Sequence, residues 1–309
     1  MKTFDDPAQF DRQGRKVCLA IGVFDGVHLG HQQVLRQAIA DASQHHGSAL
    51  AVTFDRHPSA IVAPANAPSL IYSLPQKLRM LGEFGLTATW TIRFDEPFSK
   101  QSGEAFVRNL VRDFKSVFSI CVGSSFRFGQ GRGGDVALLQ KLGKELGFSV
   151  HGIAAVSLDG QAVSSTRIRE AIRSGNLDDA SQMLGRPYSL SGQVSSGDGL
   201  GRKLGFPTAN LEVNGLTLPP NGVYAVHGVL QNEKLPAVVN IGLRPTLQSP
   251  APTLRVEAHL LDFNEDLVGR ELELVFVERL RDEQRFPNLT ALQQQIATDI
   301  SRARALFAA

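Results

Sequence analysis

The chain has 309 residues, 42% of them hydrophobic and 20% charged, which is material for two packed domains and excludes a disordered polyelectrolyte. Its 32 basic and 30 acidic residues leave a net charge of only +2, so no bulk field marks it as a binder of nucleic acid or membrane surfaces. Two cysteines, Cys18 and Cys121, exclude a disulfide scaffold, no apolar run is long enough to cross a bilayer, and the first residues lack a signal-peptide core; together these predict a cytoplasmic protein.

From Lys16 to about Gly185, short apolar runs alternate with longer amphipathic ones. Val17 to Phe24, Ala49 to Phe54, Thr89 to Phe94, Ser119 to Val122 and Phe148 to Ala155 read as buried strands. Gly30 to His46, Pro75 to Glu83, Gly103 to Asp113 and Gly134 to Leu146 read as the helices between them. Strand-helix alternation predicts a parallel sheet with right-handed crossovers, an α/β Rossmann-like domain. Two short helices follow, Ser165 to Arg173 and Leu177 to Leu184. At Gly185-Arg186-Pro187 the texture changes, and nine of the 15 prolines lie after Arg186. Tyr188 to Ser195, Gly222 to Leu230, Ala237 to Ile241, Leu254 to Leu260 and Glu271 to Leu280 are strand-like and bounded by turns, which predicts a small antiparallel β-barrel. The last amphipathic run, Leu289 to Phe307, places Leu292, Ile296, Ile300 and Ala303 on one face and predicts a helix packed on that barrel. The expected domains are therefore residues 1–186 and 187–309.

Two constellations carry chemistry. The stretch GVFDGVHLGH (Gly22 to His31) falls where the first strand ends and the first helix begins, the place where an open parallel sheet binds phosphate. His28 and His31, three apart, would point the same way in a first helical turn and could stabilise charge growing on a phosphate. Zinc also suits that spacing, but no matching third ligand stands nearby. SSTRIREAI (Ser164 to Ile172) sets hydroxyls and arginines at a helix start after the last strand, where they would grip phosphate oxygens. Together the H-x-G-H and S-S-T-x-x-R segments resemble the nucleotidyltransferase superfamily. Class I aminoacyl-tRNA synthetases share H-x-G-H, but their Lys-rich loop and basic appendage are not visible here.

In the second half, GDGLGRKLGFPTAN (Gly197 to Asn210) combines four glycines with Arg202 and Lys203, so that backbone amides could approach a polyphosphate, although the Walker A spacing is absent. Thr208 and Asn210, two apart in an extended segment, share a face and could ligate or orient a hydrated Mg²⁺. Glu257 lies between Arg255 and His259 on one face of a strand, where a carboxylate could take a proton from an attacking hydroxyl. Spacing alone does not separate it from an ordinary exposed glutamate.

With TFDRHP (Thr53 to Pro58), FRFGQGRGGD (Phe126 to Asp135), GRPYSLSGQV, GVYAV, NIGLRPT and VEAHLLDF added to these segments, the chain resembles the prokaryotic bifunctional riboflavin kinase/FMN adenylyltransferases (FAD synthetases) from Lys16 to about Arg304. The resemblance implies a Rossmann-like adenylyltransferase domain and a β-barrel kinase domain. It implies ATP as co-substrate, Mg²⁺ as cofactor, riboflavin and FMN as flavin substrates, and FMN and FAD as products; it calls for no nucleic-acid, membrane or protein partner. It implies that Gly22, Phe24, Asp25, His28, Gly30 and His31 bind and activate ATP for adenylyl transfer, while Ser164, Ser165, Thr166 and Arg169 hold its phosphates. For the kinase it implies an ATP loop of Gly197, Gly199, Gly201, Lys203, Gly205, Pro207, Thr208 and Asn210, with Thr208 and Asn210 at the metal. Glu257 then matches the catalytic base, and Asn240, Arg281 and Phe286 fall in regions near the flavin.

One position departs. Just before F-x-F-G the family usually has an acidic or amide residue, and this chain has Ser124-Ser125. A riboflavin kinase with a weakened adenylyltransferase domain is therefore the second reading, and a flavin-binding sensor without catalysis is the third. The loop from Leu247 to Thr253 is apolar and proline-rich, and no function attaches to it.

Overall fold

A computed structural model of the chain describes residues 1–11, 13–231, 233–244 and 253–308. It divides into two compact units, Met1–Arg167 and Ile168–Ala309.

The first unit holds strands β1 (Lys2–Phe4), β2 (Val17–Ile21), β3 (Ser48–Phe54), β4 (Ala88–Ile92), β5 (Val117–Gly123) and β6 (Ser149–Ile153). Between them lie helices α1 (Leu29–Gln44), α2 (Ser59–Val62), α3 (Leu74–Gly82), α4 (Glu96–Ser99), α5 (Gly103–Phe114) and α6 (Val136–Leu146), and a small hairpin, β7 (Ser157–Leu158) with β8 (Gln161–Ala162), follows. The sheet is parallel throughout, in the order β1-β4-β3-β2-β5-β6. Every residue of β2 and β3 is buried, as continuous apolar runs should be when helices cover both faces of a sheet. From β2 the chain winds outward through β3 and β4, then returns to the other side of β2 for β5 and β6. The switch in winding direction therefore lies between β2 and β5, and the crevice beyond their carboxyl ends is where such a sheet takes ligands.

Helix starts follow local capping chemistry. Ser73, Ser102 and Asp135 each accept a hydrogen bond from an amide of the following first turn in α3, α5 and α6, satisfying donors that the helix leaves open. The structure departs from the sequence reading in several places. The first strand stops at Ile21, because Phe24 turns into the left-handed region at φ 53°. The edge strand β1 and the one-turn helices α2 and α4 were not expected; three- and four-residue elements are too short to show a period.

The second unit contains α7 (Ser165–Ser174) from Ile168 onward, then α8 (Leu177–Leu184), β9 (Ser189–Ser195), α9 (Leu200–Lys203), β10 (Ala209–Leu211), β11 (Gly222–Leu230), β12 (Glu233–Arg244), β13 (Thr253–Leu260), β14 (Glu271–Asp282) and α10 (Leu289–Ala308). The strands close a six-stranded barrel in the order β10-β13-β12-β11-β14-β9, every pairing antiparallel. Closure leaves no sheet edge exposed. The expected barrel is present, with β10 as an additional short strand and α9 inserted in the glycine-rich loop. Residues 247–252 of the proline-rich loop lie outside the described residues.

Strand alternation sorts the barrel's two faces. On β13, Val256, Ala258 and Leu260 are buried inward while Arg255, Glu257 and His259 are half-buried and outward. Helix α10 covers part of the outer face, packing Ile300, Ala303, Leu306 and Phe307 on Val223, Ala225, Val238 and Leu280. The apolar face foreseen for this helix contains one acid: Asp299, 2% exposed, is paired with Arg281 on β14 at 2.9 Å.

Candidate active sites

In the first unit the loop after β2 is held by several independent contacts. His28 is the N-cap of α1, not part of its first turn: its backbone is extended, and its Nδ1 accepts the amide of His31 at 3.4 Å. The pair still converges, with the two imidazoles stacked at 3.6 Å between centroids and 20° between planes. The Phe24 ring meets His31 edge-on at 5.3 Å. Gly22 donates its amide to Val52 at the end of β3, and Gly30 lies in the first turn of α1.

Asp25 is 3% exposed, and its carboxylate accepts the backbone amides of Ile71 at 2.9 Å and Tyr72 at 3.3 Å. Its carbonyl accepts the hydroxyl of Ser165 at 2.9 Å, which joins the two sequence-predicted segments, Gly22–His31 and Ser164–Arg169, across 140 residues. The Ser164 hydroxyl accepts the amide of Arg167 at 3.3 Å; Thr166 is exposed and Arg169 is buried. Ser124 and Ser125 follow β5 on the other side of the switch and are both exposed. Behind them Phe126 and Phe128 stack at 5.3 Å.

Sequence reasoning missed Lys77. It is 7% exposed, and its ammonium donates to the carbonyls of Val23 at 3.2 Å and Phe54 at 2.8 Å and to the Thr53 hydroxyl at 3.2 Å. Burial pulls its pKa down to about 8, against the opposing pull of Asp25 and Asp55. The available signal was position: Lys77 stands three and four residues before Met80 and Leu81, on the buried face of α3.

In the second unit the barrel register brings distant residues into one row. Asn210 on β10 pairs with Glu257 on β13, Glu257 pairs with Asn240 on β12, Asn240 with Val223 on β11, and Val223 with Arg281 on β14. Directly paired residues share a face, so the predicted metal ligand, base and two flavin-side residues lie along one band of the outer surface. Phe286 joins its end, with the Arg281 guanidinium 5.6 Å from its ring centroid.

The glycine-rich loop folds over this row. Arg255 reaches Asp198 at 3.2 Å and Glu257 at 3.9 Å. His259 Nδ1 is 2.7 Å from the Pro207 carbonyl, and its ring meets Phe206 edge-on at 5.9 Å. From α10, Gln293 donates to the Leu204 carbonyl at 3.2 Å. Two glycines are required by close approach. A Cβ on Gly197 would collide with the Asn210 side chain, and one on Gly201 would collide with the Phe206 carbonyl and come within 3.0 Å of the Thr208 hydroxyl. Gly199 and Gly205 have positive φ on either side of α9, and Lys203 is exposed at its end. The alternation of Arg255, Glu257 and His259 was legible in sequence; that its outer members anchor the loop was not.

The comparisons with known proteins divide the chain in the same way. Residues 11–167 match the FAD synthetase family model and residues 184–307 match the riboflavin kinase model. The chain is 40% identical over 290 residues to the bifunctional riboflavin kinase/FMN adenylyltransferase of Escherichia coli, covering 94% of this chain and 92% of that protein. This chain belongs to the bifunctional riboflavin kinase/FMN adenylyltransferase family. The family's Pseudomonas fluorescens member is 38% identical over 96% of this chain and 95% of its own, and the Haemophilus influenzae member is 36% identical over 94% of each. A crystal structure described as a macrolide-efflux protein from Streptococcus pneumoniae superposes with TM-score 0.81 at 26% identity, covering 98% of both chains. Among the described residues, no helix is long and apolar enough to cross a membrane.

Proposed function

We infer that the protein makes FAD in two steps: it phosphorylates riboflavin with ATP to give FMN, then transfers an adenylyl group from ATP to FMN with release of pyrophosphate. One observation carries the reading. The Asn210–Glu257–Asn240 row lies under a glycine-rich loop whose glycines are held against Asn210 and Thr208, which supports reading Glu257 as a carboxylate beside bound phosphates.

In the kinase step Glu257 is the base. It takes the proton of the riboflavin 5′-hydroxyl as that oxygen bonds to the γ-phosphorus, and the bond from the γ-phosphorus to the bridging oxygen breaks to release ADP. Gly197, Gly199, Gly201, Lys203, Gly205 and Pro207 form the nucleotide loop. Mg²⁺ suits Thr208 and Asn210, whose hydroxyl and amide oxygens are hard donors, and the close approach of Gly197 and Gly201 leaves no side chain between these residues and the loop backbone. When bound, the ion would neutralise charge on the phosphates. Asn240, Arg281 and Phe286 face the flavin.

In the adenylyl step an FMN phosphate oxygen bonds to the α-phosphorus of ATP and pyrophosphate leaves. His28 and His31 donate to the charge developing there. Gly22, Phe24, Asp25 and Gly30 shape the loop around the nucleotide; Ser164, Ser165, Thr166 and Arg169 serve its phosphates. The division of labour falls at residues 1–186 and 187–309. The cytoplasm is the proposed compartment, and the two buried cysteines are unbridged.

The test is to incubate the protein with riboflavin, ATP and Mg²⁺ and to separate the flavins. FMN followed by FAD is the expected result. FMN alone selects the weakened-adenylyltransferase reading, and no turnover overturns the proposal.

A further inference from the structure

The loop from Gly22 to His31 is under backbone strain at two non-glycine positions. Phe24 and Val27 have φ of 53° and 41°, and the second is β-branched, for which left-handed backbone is a genuine outlier. Such residues persist only where the surroundings over-determine them. Gln32 holds the Val27 carbonyl at 3.1 Å and Ser165 that of Asp25, and a further set of restraints comes from one short stretch of chain, residues 71–77. The amides of Ile71 and Tyr72 hold the Asp25 carboxylate. One turn later, Lys77 reaches back to the Val23 carbonyl, to Thr53 and to Phe54. Thr53 itself donates to the Val23 carbonyl at 3.0 Å. The strained residue Phe24 therefore lies between two anchor points, Val23 and Asp25, while Val27 stands two residues beyond the second and His28 follows it directly.

We propose that Lys77 is a positioning residue for adenylyl transfer, locking from α3 the loop that leads into the cap His28 and the first turn of α1, where His31 stands. A buried ammonium suits this task. It offers three directed donors from a single point, and here it joins the end of β3 to the loop following β2. A core lysine with no such task would be expected to extend its stem along apolar surface and leave its charge in water; this one gives its three donors to the crevice loop and the neighbouring strand end. The inference rests on the adenylyltransferase reading for its effect on catalysis, but not for its effect on the loop.

The test compares wild type with Lys77→Met, which keeps the length of the stem and removes the donors, and with Thr53→Val, a milder cut at the same junction. Hydrogen exchange is read over residues 20–32, and steady-state kinetics are read for FAD formation from FMN. Lys77→Met is expected to speed exchange across residues 22–31 while β2, β3 and β5 stay protected. It is also expected to lower kcat for FAD formation by about 10²-fold, the scale of a small misplacement of reacting groups, with KM for ATP changed less than about threefold and riboflavin phosphorylation unaltered. Thr53→Val should show the same pattern, weaker. Unchanged exchange over residues 22–31 in both variants overturns the proposal, whatever the activity. If Lys77→Met loosens the whole sheet, Thr53→Val decides: a local change supports the lock and no change refutes it. Absence of FAD formation by wild type would count against the adenylyltransferase reading alone, because the exchange measurement still tests the lock.

Discussion

Glu257 and Asn210 are direct neighbours across the β13–β10 ladder, although they are 47 positions apart in the chain. Each is the outward residue at its pairing, so the carboxylate assigned as base and the amide assigned to the metal share one face of the barrel. Glu257→Ala is expected to lower FMN formation by about 10²- to 10⁴-fold, the usual contribution of a general base. FAD formation from supplied FMN should be retained. Equal loss of both activities would contradict the assignment of the two steps to separate halves.

His28→Ala combined with His31→Ala should do the converse. The stacked imidazoles are assigned to charge on the α-phosphate, and loss of even one such donor typically costs about 10²- to 10³-fold. Assays of FAD formation from FMN, with riboflavin phosphorylation measured on the same preparation, check this. Full FAD synthesis by the double variant would remove the histidines from the mechanism.

Ser125, exposed after β5, offers one short hydroxyl where the family resemblance implies a carboxylate or amide. Ser125→Asp and Ser125→Asn are expected to raise the rate of the adenylyl step and leave the kinase step unchanged. Slower FAD formation by both variants would identify the serine as a working part of the site.

The Arg281–Asp299 pair is nearly dry, with side chains 13% and 2% exposed. Removing one partner leaves a buried charge without its counter-ion, which costs about 3–5 kcal/mol. Asp299→Leu should therefore lower the denaturant midpoint strongly, and Arg281→Met added to it should restore much of the loss. Additive destabilisation in the double variant would show that the two residues are not coupled.

Lys77 gives a pH signature. Its pKa is about 8 in the folded protein against 10.5 ordinarily. Below pH 8 it is charged in both states and its burial is a constant cost. Between about pH 8 and 10.5 the unfolded chain holds a proton that the folded protein has released, so its contribution to stability rises with pH. Wild type should gain stability relative to Lys77→Met across that window, by up to about 3 kcal/mol. Denaturant titrations of both proteins at pH 7 and pH 10 measure it, and a parallel course for the two would refute the shift.

The sequence by itself determined the two architectures and the segments that carry the chemistry. Continuous apolar runs such as Val17–Ile21, separated by amphipathic helices, can be buried only in a parallel sheet covered on both faces. Proline- and turn-bounded strands after Arg186 can satisfy their backbone only by pairing with one another. Loop motifs such as Gly22–His31 and Gly197–Asn210 are local, so their residue order is already their chemistry. What tertiary structure decided is which distant residues meet and what holds them. The alternation around Glu257 names its face, but only the barrel register sets it between Asn210 and Asn240. The polarity of Lys77 and Asp299 argues for solvent, yet both are buried, because each meets its partners only after other elements have packed: β3 and the β2–α1 loop for the lysine, β14 for the aspartate. A buried polar group is favourable only through contacts made across the fold, and contacts of that kind leave no local pattern to read.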